Sequence, residues 1–196
     1  MTDSRISYLF GDKDYIYPCD EYLDYITPAE VFNIVVQQAN IHFNLKKKVV
    51  WDMFSGIGTD SIRLAMLSGL VQCTELNVET YNCLKHNIEL SGYNNIIAKN
   101  ADCSSPVGYE PDIIYFDPPW GDTFKSGSTF TFEGVRLSNG TLITDLLMSM
   151  YNTHDMIIKS PYMSDSLDKL INPEDIISIL TFSRQKLKYI FVRQRT

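Results

Sequence analysis

The sequence predicts an α/β doubly wound fold, a mostly parallel sheet that ends in an antiparallel hairpin. Three observations lead there. Apolar runs of strand length alternate with amphipathic stretches of helix length from residue 49 to residue 161. Glycines punctuate the alternation at Gly56, Gly58, Gly69 and Gly92. The last two apolar runs, "DIISILTFS" and "LKYIFVRQ", leave no room for a helix between them, so they pair as a hairpin.

Taken in order, "ITPAEVFNIVVQQA" opens the first helix. Thr27 is its expected N-cap, Pro28 its first residue and Glu30 the third, a capping box followed by apolar positions Val31, Ile34 and Val35. "VVWDMF" is a strand, "TDSIRLAMLSG" a helix ending at Gly69 and "VQCTEL" a second strand. "VETYNCLKHNIELSG" is a helix ending at Gly92, and "NIIAKNA" and "DIIYF" are the next two strands. "LITDLLMSMYN" is helical and "DMIIKSP" a fifth strand, so that the hairpin brings the total to seven. There is no repeat, low-complexity tract or Pro/Ser-rich linker. The expected organisation is a short lead, residues 1–25, and one domain, residues 26–196.

Composition narrows the function. Lys+Arg 17 against Asp+Glu 24 gives a net charge of −7, which disfavours an extended nucleic-acid track but leaves room for a single nucleotide. The four cysteines lack C-x-x-C spacing and read as reduced thiols, and with three scattered histidines no metal site is expected. No apolar run reaches membrane-spanning length, and the start "MTDSRISYLFGDKDY" lacks the basic-then-apolar order of a signal peptide. The expectation is a monomer, intracellular, in cytoplasm or nucleus, without membrane contact.

Ligands of such folds bind outside the carboxyl ends of the strands, and four stretches stand there. In "DMFSGIGTD", Gly56 and Gly58 let the chain turn close to a ligand, and Asp52 has no apolar role at its strand end. No Gly-Lys-Ser/Thr follows, so the turn is not a triphosphate loop. Glu75 lies 19 positions beyond Gly56, where an acid accepts hydrogen bonds from both ribose hydroxyls. Asp102, in "NAD", is placed to accept from an adenine amino group. Together these describe a pocket for an adenosine-bearing ligand with no pyrophosphate, and its acidity suits the cationic S-adenosylmethionine better than NAD. The fourth stretch is "YFDPPWGD". Its proline pair ends a strand in a stiff turn, Asp117 and the Pro118 carbonyl can accept the N–H bonds of a base amino group, and Trp120 can stack on the base.

The order D-x-F-x-G-x-G, second-strand acid, third-strand Asp and Asp-Pro-Pro-Trp resembles class I S-adenosylmethionine-dependent amino-methyltransferases, with their Rossmann-like fold. More closely, "ITPAEV", "VVWDMFSGIGTDSIRLA" and "FDPPWGD" resemble the catalytic domain of trimethylguanosine synthases, over roughly residues 22–160. The resemblance implies an enzyme that methylates guanine N2 of 7-methylguanosine-capped RNA or a cap analogue. It implies cofactor contacts from Thr27, Asp52, Phe54, Ser55, Gly56, Gly58, Thr59, Asp60, Glu75, Asp102 and Asp117. Catalysis would fall to Asp117, Pro118 and Trp120, with Trp120 stacking on the methylated guanine and Lys125, Arg136 or Lys159 meeting the triphosphate. Ser is usual in the family where Asp117 stands, and Gly where Asp122 stands. An acidic lead residue is also usual in adenine-N6 and ribosomal guanine-N2 enzymes, which form an alternative reading. A non-catalytic cofactor- or cap-binding subunit is a second alternative.

Overall fold

The first helix begins one residue later than the capping box predicts. Helix α1 spans Ala29–Phe43, and Pro28, with ψ 141°, occupies the N-cap position with no side-chain cap. The computed structural model describes residues 14, 16–104, 106–120, 130–164 and 170–194. Thr27 is not the cap, because its hydroxyl donates instead to the Asp60 carboxylate at 3.0 Å. A bond to a charged acceptor is the stronger one. The buried stripe of α1 runs through Val31, Phe32, Val35, Val36, Ala39 and Phe43. Ile34, expected in it, is 51% exposed, since it lies a turn's edge away from that stripe.

The chain forms two compact units, Met1–Pro111 and Asp112–Thr196. The first holds strands β1 (Val49–Asp52), β2 (Leu70–Glu75) and β3 (Ile96–Asn100). They are parallel, with Asp52 beside Cys73 and Glu75 beside Asn100. Helix α2 (Thr59–Ala65) links β1 to β2 and is buried on every residue. It stops at Ala65, short of the predicted Gly69. Gly69 serves another purpose: its N–H donates to the Leu45 and Lys48 carbonyls, and a Cβ there would stand 3.0 Å from the Lys46 carbonyl oxygen. The glycine permits close backbone packing and does not end the helix. Helix α3 (Val78–Ser91) follows the expected bounds, capped by Asn77, which accepts from the Glu79 and Thr80 amides, and closed by Gly92 at φ 80°.

The second unit holds β4 (Ile113–Phe116), β5 (Asp155–Pro161), β6 (Ile176–Phe182) and β7 (Leu187–Val192), with helix α4 (Ile143–Tyr151) between β4 and β5. Strands β4 and β5 are parallel, and β7 runs antiparallel to both β5 and β6. The seven strands make a mostly parallel sheet, ordered β3-β2-β1 in the first unit and β4-β5-β7-β6 in the second. The hairpin is antiparallel as expected, but only β6 is an edge. All six residues of β7 are buried, whereas β6 alternates and carries a register shift between Ile176 and Ser178. Among the described residues, no helix is long and apolar enough to cross a membrane.

Candidate active site

In the first unit, the strand-end acids hold the loops that follow them. Asp52 ends β1 with 1% of its surface exposed. Its carboxylate accepts from the Ser61 hydroxyl, and its carbonyl accepts from the Ser55 hydroxyl at 2.9 Å. Burial, and then the nearby Asp52 charge, push the Cys73 thiol up to about 12, so that thiol stays neutral. Thr74 ties β2 to the same turn: Trp51 Nε1 donates to its hydroxyl at 3.1 Å, and that hydroxyl donates to the Met53 carbonyl at 2.9 Å. The Ser55 amide donates to the Thr74 carbonyl at 3.0 Å.

Glu75 ends β2 and brackets two loops. One carboxylate oxygen accepts from the Gly56 amide at 3.0 Å, the other from the Asn77 amide at 2.8 Å. Burial raises its pKa, and the backbone hydrogen bonds oppose that rise without cancelling it. Gly56 adopts φ +54°, and a Cβ there would lie 2.3 Å from the Tyr22 hydroxyl. Phe54 is half-buried, Gly58 has φ +89°, and Thr59 and Asp60, both buried, open α2. Asp102 lies two residues past β3, half-buried, and accepts from the Ser104 amide at 2.9 Å.

Sequence reasoning passed over Tyr22 and Asn87. Tyr22 lies in the stretch read as a lead, yet it packs with Tyr17 on a cluster of Leu23, Ile26, Ile57 and Cys83. Asn87 is fully buried on α3; its amide nitrogen donates to the Ile16 and Ile57 carbonyls, both at 3.0 Å. The signal was available: a polar side chain on the inward face of α3, where only a partnered amide is tolerated.

In the second unit, β4 ends at Phe116 and the turn Asp117-Pro118-Pro119-Trp120 follows, with Pro118 buried and Asp117 and Trp120 half-buried. The pairing of Phe116 with Ile158 brings the next residues, Asp117 and Lys159, alongside one another. The Lys159 ammonium, 3% exposed, donates to Asp117 Oδ2 at 2.6 Å and stands 5.4 Å from the centre of the Trp120 ring. Lys159 is therefore not a surface cation awaiting a triphosphate. Arg136 is exposed, and one guanidinium nitrogen donates to the Gly140 carbonyl at 2.7 Å. Lys125 lies outside the described residues.

The sequence model of a family described as RNA cap guanine-N2 methyltransferase matches residues 47–194. The chain belongs to that family. It is a methyltransferase, and the family implies S-adenosylmethionine as the methyl donor. An uncharacterized protein of Acanthamoeba polyphaga mimivirus is 27% identical over 220 aligned residues, covering 99% of this chain and 82% of that protein. A 23S rRNA (uracil(1939)-C(5))-methyltransferase of Marinomonas posidonica is 33% identical over 85 residues, 41% of this chain and 19% of that enzyme. Among solved structures, a putative RNA methyltransferase of Pyrococcus horikoshii aligns with a TM-score of 0.63 at 16% identity, over 97% of this chain and all of that one. An RNA methyltransferase of Salinibacter ruber, in complex with S-adenosyl-L-homocysteine, aligns with a TM-score of 0.56 at 13% identity, over 87% and 95% of the two chains.

As a member of this methyltransferase family, the chain carries a donor set that fits the cofactor. Glu75 ends β2 and Asp102 follows β3 by two residues, both acids suited to hydroxyl and amino hydrogens. A carboxylate offers about four acceptor positions, so the two amides on Glu75 leave capacity for a ribose. Asp52 and Asp60 are buried and bonded to Ser61 and Thr27, which shapes the turn between β1 and α2.

Proposed function

We propose that this protein methylates the exocyclic N2 amino group of guanine in the 7-methylguanosine cap of RNA. The observation that carries the reading is the Asp-Pro-Pro-Trp turn at the end of buried β4, inside the region matched by the cap guanine-N2 family. Glu75 and Asp102 would hold the ribose and adenine of the cofactor, and the turn around Asp52, Phe54, Ser55, Gly56, Gly58 and Thr59 its methionine end. Thr27 and Asp60, bonded to one another, would support that end together.

At the acceptor end, Asp117 and the Pro118 carbonyl would accept the two N–H bonds of the amino group. Held that way, the nitrogen lone pair turns out of conjugation with the ring and becomes nucleophilic. Pro118 and Pro119 fix φ, so the acceptors are positioned before the base arrives. Trp120 would stack on the base, a contribution of roughly 1–3 kcal/mol. When bound, the cofactor supplies an electrophilic methyl on a sulfonium whose departure leaves a neutral thioether. The chain is thus asked for positioning and electrostatics and not for a strong base, and the amine proton passes to water after transfer.

Asp117 supports a second reading, transfer to adenine N6 or to a guanine N2 in ribosomal RNA, since a carboxylate leads the tetrad. Mass spectrometry of a capped dinucleotide incubated with protein and S-adenosylmethionine, with uncapped RNA and DNA alongside, separates the two. Methylation of the capped dinucleotide on N2 is expected. Methylation of uncapped acceptors alone would sink the cap reading.

A further inference from the structure

Lys159 is the one charged residue between Met156 and Pro161 in a strand whose neighbours there are buried. A buried ammonium is retained only when its charge is met, and Asp117 meets it at 2.6 Å. The same ammonium stands over the Trp120 ring, 5.4 Å from its centre. One cation therefore touches both groups that the proposed reaction needs, and it does so from a neighbouring strand.

Two consequences follow from charge and geometry. The salt bridge uses one of the carboxylate's acceptor positions and restricts its orientation, which aims the others. The ammonium also takes one face of the indole. A base must then stack on the opposite face, and a ring already polarised by one cation attracts a second cation less.

We propose that Lys159 is a positioning and specificity-determining residue of the acceptor end. It fixes the Asp117 carboxylate, confines base stacking to one face of Trp120, and tempers the preference of that face for the positively charged 7-methylguanine over neutral guanine. The proposal rests on the reading in which Trp120 stacks on the acceptor base. It replaces the triphosphate contact suggested by the sequence, which would need an ammonium at the surface.

The test measures affinities for 7-methylguanosine diphosphate and guanosine diphosphate by tryptophan fluorescence, in the unmutated protein and in Lys159→Gln, Lys159→Met and Lys159→Arg. Both nucleotides carry the same phosphates, so their ratio isolates the base. Removing the charge should raise the preference for the methylated nucleotide by about two- to fivefold, the size of a partly exposed cation–π contribution, while Lys159→Arg keeps the original ratio. Lys159→Gln retains a hydrogen-bond donor for Asp117 and guards against a folding failure in Lys159→Met; unchanged cofactor affinity identifies a folded variant. A ratio that stays the same or falls in folded Lys159→Gln overturns the proposal. If the unmutated protein binds neither nucleotide, the cap reading falls alone, and Lys159 is judged on whichever RNA or DNA is methylated. There, a lower kcat with unchanged KM for the cofactor keeps its role, and an unaltered kcat ends it. Absence of transfer to every acceptor overturns both.

Discussion

At the proposed cofactor end, Glu75 reaches two backbone amides on two different loops; at the proposed acceptor end, Asp117 accepts from a buried ammonium. The first arrangement is redundant. Gly56, Asn77, Ser55, Ser61 and Thr74 share the task of holding two turns, so no one side chain carries the geometry. The second joins a buried ion pair to two prolines that stiffen the turn. An adenosine-bearing cofactor is recognised in its ground state by many contacts, which favours distributed bonds. An amino group has to be aimed, and a rigid turn with one fixed carboxylate does that with few groups.

From this contrast, substitutions in the second unit are expected to change turnover and substitutions in the first to change cofactor affinity. The largest expected effect is at the acceptor end. Asp117→Ala should lower kcat by about 100-fold, the size of losing one preorganised hydrogen-bonding group, with cofactor affinity nearly unchanged. Asp117→Ser should retain appreciable activity on a capped dinucleotide. Calorimetry with the cofactor beside a methyl-transfer assay reads both, and equal losses in the two would erase the distinction between the ends.

Glu75→Ala should weaken cofactor binding about tenfold or more, the loss of a charge-assisted pair of hydrogen bonds. The same residue sets a pH dependence whose sign follows from burial. Its folded-state pKa lies above the ordinary 4.5, so ionised Glu75 is disfavoured by the fold, and what this group contributes to stability is present in acid and lost as pH rises through the raised value. Cofactor affinity runs the other way, since the acceptor has to be ionised. It should fall on acidification from above 4.5, and Glu75→Gln should flatten that limb in a calorimetric pH series.

Gly56→Ala probes whether the redundancy has a limit. The residue holds a left-handed φ of +54°, and the new methyl would meet the Tyr22 hydroxyl at 2.3 Å. A loss of about 1–2 kcal/mol in stability is expected from the backbone alone, more with the clash. Tyr22→Phe in the same chain should recover the second part, because the next ring atom is 3.4 Å away. Thermal melts that show no recovery would remove Tyr22 from the turn. The smallest effect belongs to Trp120→Ala, which should remove the residual preference for 7-methylguanosine diphosphate, about 0.5–1 kcal/mol, and leave cofactor affinity intact. Loss of both together would make Trp120 a packing residue.

Much of the fold was legible because its signals are local. Apolar runs marked all seven strands, Gly92 marked the end of α3, and two strands without a helix between them marked the hairpin. Local signals also misled where a residue could satisfy two rules at once. Thr27 has the chemistry of a cap and Gly69 that of a helix terminator, but a carboxylate 33 residues away and a carbonyl at Lys46 claimed them.

The sequence by itself determined which residue types stand at or just past the strand ends, Asp52, Glu75, Asp102 and Asp117, because a carboxylate at the close of an apolar run is visible without coordinates. Only the tertiary structure decided what those carboxylates hold. Strand register set Lys159, 42 residues on, beside Asp117, and placed its ammonium over Trp120. The chain's return set Glu75 against Gly56, and packing of the lead set Tyr22 over the same glycine. Periodicity tells which face a side chain takes; the partner on that face depends on which strand comes to lie alongside, and that is settled by burial of the whole sheet.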